Sequence, residues 1–314
     1  MEVLDRVDAG RIGALLARGE VFWLDLRDPS GEDLDALQAL LHLASGAVQD
    51  SREFGQRAKL DLYGDQALLV FYGTDGDEPD AGLVEVHVHI AATAVVTVRR
   101  RGCPRLEAAR DQLEAATPAT AVVAGMFLAL ARGLSAHVDA IAAEVDRLEE
   151  DAFQRPSEMD RRRLSDLRAR LFRLRQVLVP QSELLADDAD LLRVLPGMQH
   201  PHARHPFRDV HDELVLATNT VDFAREQLGE ALSVYLSSVS NRLNELATRL
   251  TFFASVFLPL TFVTGFFGMN FGWLVRRIDS FEAFLILGAG GVLIPAVATA
   301  LLLWRAGYLR MPPQ

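Results

Sequence analysis

The chain has one cysteine, one lysine and two long stretches without any charge, and each scarcity excludes something. Cys103 alone allows no intramolecular disulfide and no cysteine-based zinc cage. Lys59 is the single lysine, which leaves Schiff-base and lysine–phosphate chemistry almost without a candidate. P-loop, HExxH and nucleophile-elbow patterns are all missing, so an enzyme is not expected. The first twenty residues, MEVLDRVDAGRIGALLARGE, lack the basic start and continuous apolar core of a secretory signal, and the front portion is expected to stay in the cytosol. Charge is missing altogether from Leu250 to Val275 and again from Ala283 to Trp304. Each stretch exceeds the roughly 20 residues that cross a hydrocarbon core.

The charge that is present is unevenly spread. The 314 residues carry a formal net charge of −11, yet from Arg249 onward there are five arginines and only two acids, Asp279 and Glu282. Residues 1–248 therefore hold 41 acids against 27 lysine and arginine residues, a net charge of −14. A body this acidic repels nucleic acid and concentrates cations. No nucleic-acid partner is expected; metal cations, membrane lipids and further copies of the chain are.

Two apolar spans joined by a short link make a hairpin that returns the chain to the side it started from. Arg242 and Arg249 before the first span, and Arg305 and Arg310 after the second, follow the positive-inside bias, whereas Arg276 and Arg277 in the link oppose it. The expected location is the inner cell membrane, with both termini cytosolic. A helical hairpin buried in a soluble protein is the alternative.

Residues 1–100 read as mixed α/β. VFWLDLRDPS (Val21–Ser30) is a strand running into a turn, and Gly31–Leu43 has helical spacing with an acidic first turn. Ala67–Gly73, Leu83–Ile90 and Thr93–Arg100 are β-branched runs separated by turn residues, with the acidic stretch Asp75–Asp80 as a loop. His87 and His89 share one face of a strand and are expected to be exposed edge residues. From Pro104 the pattern is helical, punctuated by Pro118, Pro156 and Pro180, and Asp160–Gln176 is strongly amphipathic. Between Pro206 and Pro259 there is no proline and only Gly229, which predicts one continuous helix running from the cytosol into the membrane, with a kink or backbone adjustment at Pro259. The division expected is an α/β domain over 1–103, a helical region over 104–249, spans over 250–270 and 283–304 around an external loop at 271–282, and a tail at 305–314.

Two helices per chain cannot enclose a pore, so conduction requires several copies about one axis. Asn241, Asn244, Thr248, Thr251 and Ser255 recur at spacings of three and four and form a polar stripe. The stripe suits a pore lining, or interhelical hydrogen bonds in a bundle. His200, His202, His205 and His211 crowd one short stretch, HPHARHPFRDVH, and imidazole favours zinc over magnesium; a polar loop ahead of a helix start is the plainer account.

The first span ends in FLPLTFVTGFFGMNFGW (Phe257–Trp273), and its Gly268–Met269–Asn270 triplet resembles the signature of the CorA family of magnesium transporters. VYLSSVSNRLNE (Val234–Glu245), FRDVHDE (Phe207–Glu213) and RAKLDLYGD (Arg57–Asp65) extend the resemblance over most of the chain. It implies a funnel-shaped homopentamer with an α+β cytosolic domain, long helices and two C-terminal transmembrane helices. By the same resemblance Gly268, Met269 and Asn270 form a selectivity filter at the outer mouth. Asn244 and Thr261 are polar lining positions, and Leu250 and Leu258 are apolar constrictions. Asp209 holds a regulatory metal between subunits; its partner carboxylate is unplaced, with the Asp75–Asp80 loop supplying candidates. Mg²⁺ is then both substrate and regulatory ligand, with no tightly bound cofactor, and the cytosolic metal closes the pore.

The sequence also departs from the family. Ser233 stands where relatives have a carboxylate, and Ala247 and Leu258 where methionines are common. Arg276 and Arg277 occupy a loop where relatives place acids. A zinc transporter like ZntB, coupled to protons, is therefore the alternative, although Met269 favours magnesium.

Overall fold

The computed structural model describes residues 1–112, 119–154, 158–186, 205–269, 271–277 and 280–305. The chain divides into two compact units, Met1–Tyr235 and Leu236–Gln314.

The first unit opens with β1 (Glu2–Leu4), α1 (Ala9–Arg18), β2 (Phe22–Arg27), α2 (Gly31–Leu41) and α3 (Ser45–Glu53). Four further strands follow: β3 (Lys59–Tyr63), β4 (Gln66–Thr74), β5 (Leu83–Ile90) and β6 (Ala94–Arg99). Helices start where a short polar side chain can take an orphan backbone donor. The Asp8 carboxylate accepts from the Arg11 amide at 2.9 Å, and Ser30 and Asp33 form a reciprocal capping box. Gly19 ends α1 at φ 64°, a left-handed conformation that costs glycine nothing.

The six strands make one mixed sheet in the order β1-β2-β6-β5-β4-β3. The β1–β2 and β2–β6 pairs are parallel and the other three antiparallel. Period-2 alternation sorts side chains to two faces. Phe22, Leu24, Leu26, Ala94, Val96 and Val98 pack one face against α1, α2 and α3. Trp23, Val95, Leu69, Phe71, Val86 and Val88 belong to a larger core shared with the long helices.

Those helices are α4 (Pro104–Asp111), α5 (Ala119–Gln154), α6 (Glu158–Leu184) and α7 (His205–Phe267). The buried apolar residues of α6 and α7 recur at alternating steps of three and four, the spacing of helices packed side by side. In α6 these are Leu164, Leu167, Leu171, Leu174 and Leu178. In α7 they are Phe207, Val210, Leu214, Ala217, Val221, Ala224, Leu228 and Ala231. Pro180 does not end α6 as its sequence position suggests; the helix continues to Leu184. Buried Gln181 then accepts a hydrogen bond from the Tyr72 amide of β4 at 2.6 Å. Pro118 and Pro156 lie outside the described residues.

The segment Ala121–Glu150 of α5 is long and apolar enough to cross a membrane, but 67% of its most apolar window is buried within the protein. Its hydrophobicity is used by the core. Phe207–Phe267 and Phe281–Thr299 also qualify, and 0% of their apolar windows is buried.

In the second unit α7 continues without interruption through Pro259 to Phe267. The ring removes one backbone donor, yet no break in the helix results. A short helix α8 (Gly272–Arg277) occupies what the sequence suggests is only a linking loop. The last segment starts at Phe281–Ala283 (α9), passes through a π-helical stretch at Phe284–Ala289, and ends in α10 (Gly290–Arg305). Gly291 allows close contact here: a Cβ at that position would lie 3.2 Å from Val263.

Candidate functional site

The exposed face of α7 is the first element of the candidate site. Asn244, Leu250, Leu258 and Thr261 are all exposed, the two leucines at 71% and 74%. At 100° per residue these four positions fall within an arc of roughly 120°. Leucines this exposed are unfavourable in water, and a surface of this kind is covered by lipid or by other protein.

The hydroxyls of the polar stripe are already committed. Thr248, Thr251 and Ser255 donate to the carbonyls of Asn244, Ala247 and Thr251 at 2.7–2.8 Å, and Thr261, outside the stripe, donates to Phe257 at 2.8 Å. Thr264 does the same to Leu260 at 2.9 Å. A hydroxyl whose proton is held by its own helix presents only lone pairs outward. The stripe's hydroxyls therefore offer acceptors, the arrangement that suits a cation or its water shell.

Helix α7 ends at the glycine triplet. The Gly268 amide donates to the Thr264 carbonyl at 2.9 Å, and the Met269 amide to Phe266 at 3.3 Å. A Cβ on residue 268 would lie 2.9 Å from that same Thr264 oxygen, closer than side chains approach backbone. Glycine is required for the turn itself. Met269 is exposed, and Asn270 lies outside the described residues.

Asp209 is exposed on α7 between the buried Phe207 and Val210. The loop proposed to hold its partner is tied down within the chain: Asp75 meets Arg101 at 3.6 Å, and Asp77 meets Arg105 at 2.6 Å. His200 and His202 lie outside the described residues, His205 begins α7, and His211 sits 3.5 Å from Asp212. Among the described residues no three His, Cys, Asp or Glu side chains come together to hold a metal.

His87 and His89 are not exposed edge residues. Strand β5 lies between β4 and β6, and both rings are buried beneath α3. The Ser51 hydroxyl lies 3.0 Å from His87 Nδ1 and 2.8 Å from His89 Nε2, while His87 Nε2 lies 2.7 Å from Glu85. Burial, with the His87 charge adding to it, pushes His89 down to about 3. Burial alone would raise Glu85, but hydrogen bonds from His87 and the Gln56 and Gly55 amides outweigh it and hold the carboxyl below its usual range. The sequence shows the two histidines sharing a face; only the strand order shows that the face is covered.

A second buried cluster, Asp25 with Arg99, was not legible as a pair. Thr97 donates to Asp25 at 2.7 Å, and Trp23 donates to Thr97 at 3.0 Å.

Comparison with known proteins decides the family. A model of the CorA-like Mg²⁺ transporter protein family matches residues 18–305. The chain belongs to that family. The cobalt/magnesium transport protein CorA of Thermotoga maritima is 37% identical over 137 residues, which span 44% of this chain and 38% of that protein. The zinc transport protein ZntB of Yersinia pseudotuberculosis is 23% identical over 86% of this chain and 83% of its own length. The CorA magnesium transporter of Methanocaldococcus jannaschii superposes with a TM-score of 0.78 at 16% identity, covering 91% of this chain and 90% of that one, and so shares the fold. As a CorA-family protein the chain is a divalent-metal-ion transporter and not an enzyme.

Proposed function

We propose that this CorA-family protein carries Mg²⁺, and with it Co²⁺ or Ni²⁺, across the inner cell membrane through a homopentameric pore lined by α7. The observation that carries this reading is the polar stripe on α7, whose hydroxyl protons are all spent on the helix itself. Asn244 and Thr261 line the path, and Leu250 and Leu258 narrow it where dewetting can close it. Gly268, Met269 and Asn270 form the outer mouth. A ring of neutral Asn270 carbonyls would hold Mg²⁺ through its water shell, because that ion sheds water reluctantly.

Both termini lie in the cytosol in this reading, and lipid surrounds the remaining apolar face. Mg²⁺ at Asp209, between neighbouring cytosolic domains, holds the closed state, and its loss opens the pore. Mg²⁺ is substrate and regulatory ligand; no resident cofactor is required.

The second reading is zinc transport, coupled to protons. It is favoured by Arg276, an exposed cation close in sequence to the glycine triplet, and by the length of the match to ZntB. Uptake into liposomes separates the two. Mg²⁺, Co²⁺ and Ni²⁺ flux indifferent to a pH gradient supports the channel; Zn²⁺ flux that requires the gradient supports the carrier.

A further inference from the structure

The first unit contains two adjoining clefts, of 390 Å³ and 680 Å³, that share Pro79, Asp80 and Arg170. Both volumes fall in the range of small-ligand pockets. Their shared wall is held in place from two helices. Arg170 of α6 donates to the Pro79 carbonyl at 3.0 Å and meets Asp166 at 2.7 Å. His137 of α5 lies 2.7 Å from the Glu78 carbonyl.

Around this wall stand three more arginines: Arg147 from α5, and Arg163 and Arg173 from α6. All three are exposed, and none has a hydrogen bond or ion pair among the described residues. Three carboxylates line the same space. Asp166 is engaged by Arg170, which leaves Asp80 and Glu144 opposite three unengaged guanidiniums. In these clefts the unengaged guanidiniums outnumber the unengaged carboxylates, and the rigid guanidinium fork matches phosphate oxygens two at a time.

We propose that this double cleft binds a small soluble polyphosphate, pyrophosphate or a nucleoside di- or triphosphate, as its divalent-metal complex. The arginines take the phosphate oxygens. Asp80 and Glu144 would repel a bare polyanion but tolerate one partly neutralised by a bound cation. The lining includes no residue of α7, so the proposal stands whichever metal is transported.

Titration calorimetry of the full chain in mild detergent with magnesium pyrophosphate tests it. Saturable binding that weakens as salt rises is expected. Arg147→Gln with Arg163→Gln should weaken binding by about tenfold or more per arginine. Lysine at both positions should restore part of it, because charge returns without the fork. Arg18→Gln, an exposed charge on α1, should change nothing. The proposal is overturned if the wild-type chain shows no saturable binding or if the double glutamine variant binds as well as wild type. Equal loss in Arg18→Gln also overturns it, because the effect would then be net charge alone. Folding of each variant is checked by its thermal transition. Transport is not read, so this outcome is independent of conduction.

Discussion

Arg99 of β6 and Asp25 of β2 meet at 2.9 Å with side chains only 2% and 1% exposed, an ion pair closed off inside the sheet domain. Burial would lower the Arg99 guanidinium, but the hydrogen bond and charge of Asp25, together with those of Glu107 at 3.0 Å, outweigh this and raise it. Removing Asp25 leaves the buried Arg99 with only the partly exposed Glu107 as its ionic partner. Asp25→Ala should cost about 3–5 kcal/mol of stability. Urea unfolding of the full chain should show it as a lower midpoint, whereas replacing the exposed Glu20, whose pair with Arg18 is 3.8 Å long, should change the midpoint little.

The Ser51–His87–His89 cluster makes the same domain sensitive to acid. His89 lies far below its ordinary 6.5 in the fold, at about 3, so the folded chain keeps it neutral while the unfolded chain does not. Stability from this group is intact above pH 6.5 and falls as pH drops from there toward about 3. The slope is about 1.4 kcal/mol per pH unit at most. Urea midpoints measured between neutral and mildly acidic pH should fall less steeply for His89→Gln than for wild type. Parallel slopes would place the acid sensitivity elsewhere.

How much of this was readable in advance varied with burial. Strand β5 coincides with Leu83–Ile90, and β4 and β6 differ from the expected runs by a residue or so at each end, because continuous Val, Ile, Leu and Phe announce a covered strand. Three-residue β1, the charged and partly exposed β3, and α3, with only Ala47 and Val48 as buried apolar residues, carry little periodic signal and went unseen. The sequence puts His87 and His89 on one face, as the structure does, but that the face is covered follows only from strand order, a long-range property. The glycine triplet and the polar stripe of the candidate site are linear features and were legible. The inward-donating hydroxyls became visible only in the helix geometry.

Gly268 should tolerate no side chain. A Cβ there would meet the Thr264 carbonyl at 2.9 Å, so Gly268→Ala must shift the end of α7 and the residues that follow. Transport should fall by more than tenfold while the stability of the sheet domain is unchanged, because the substitution lies in the other unit. Normal flux in Gly268→Ala would detach the triplet from the mouth.

Asp209 is exposed on α7, and loss of its carboxylate should not disturb the core. If metal at Asp209 holds neighbouring domains together, Asp209→Ala should weaken Mg²⁺ protection of the first unit against protease and raise uptake at high internal Mg²⁺. Unchanged protection together with unchanged flux would remove the regulatory role and favour an ungated carrier.

The central claim, conduction along α7 through a mouth that includes Asn270, is tested most directly by Mg²⁺ flux into liposomes holding the wild-type chain or Asn270→Ala at equal oligomer size. The account predicts Mg²⁺ uptake by the wild type and its loss in the variant. Equal uptake by the two, or no uptake by the wild-type chain, would contradict it.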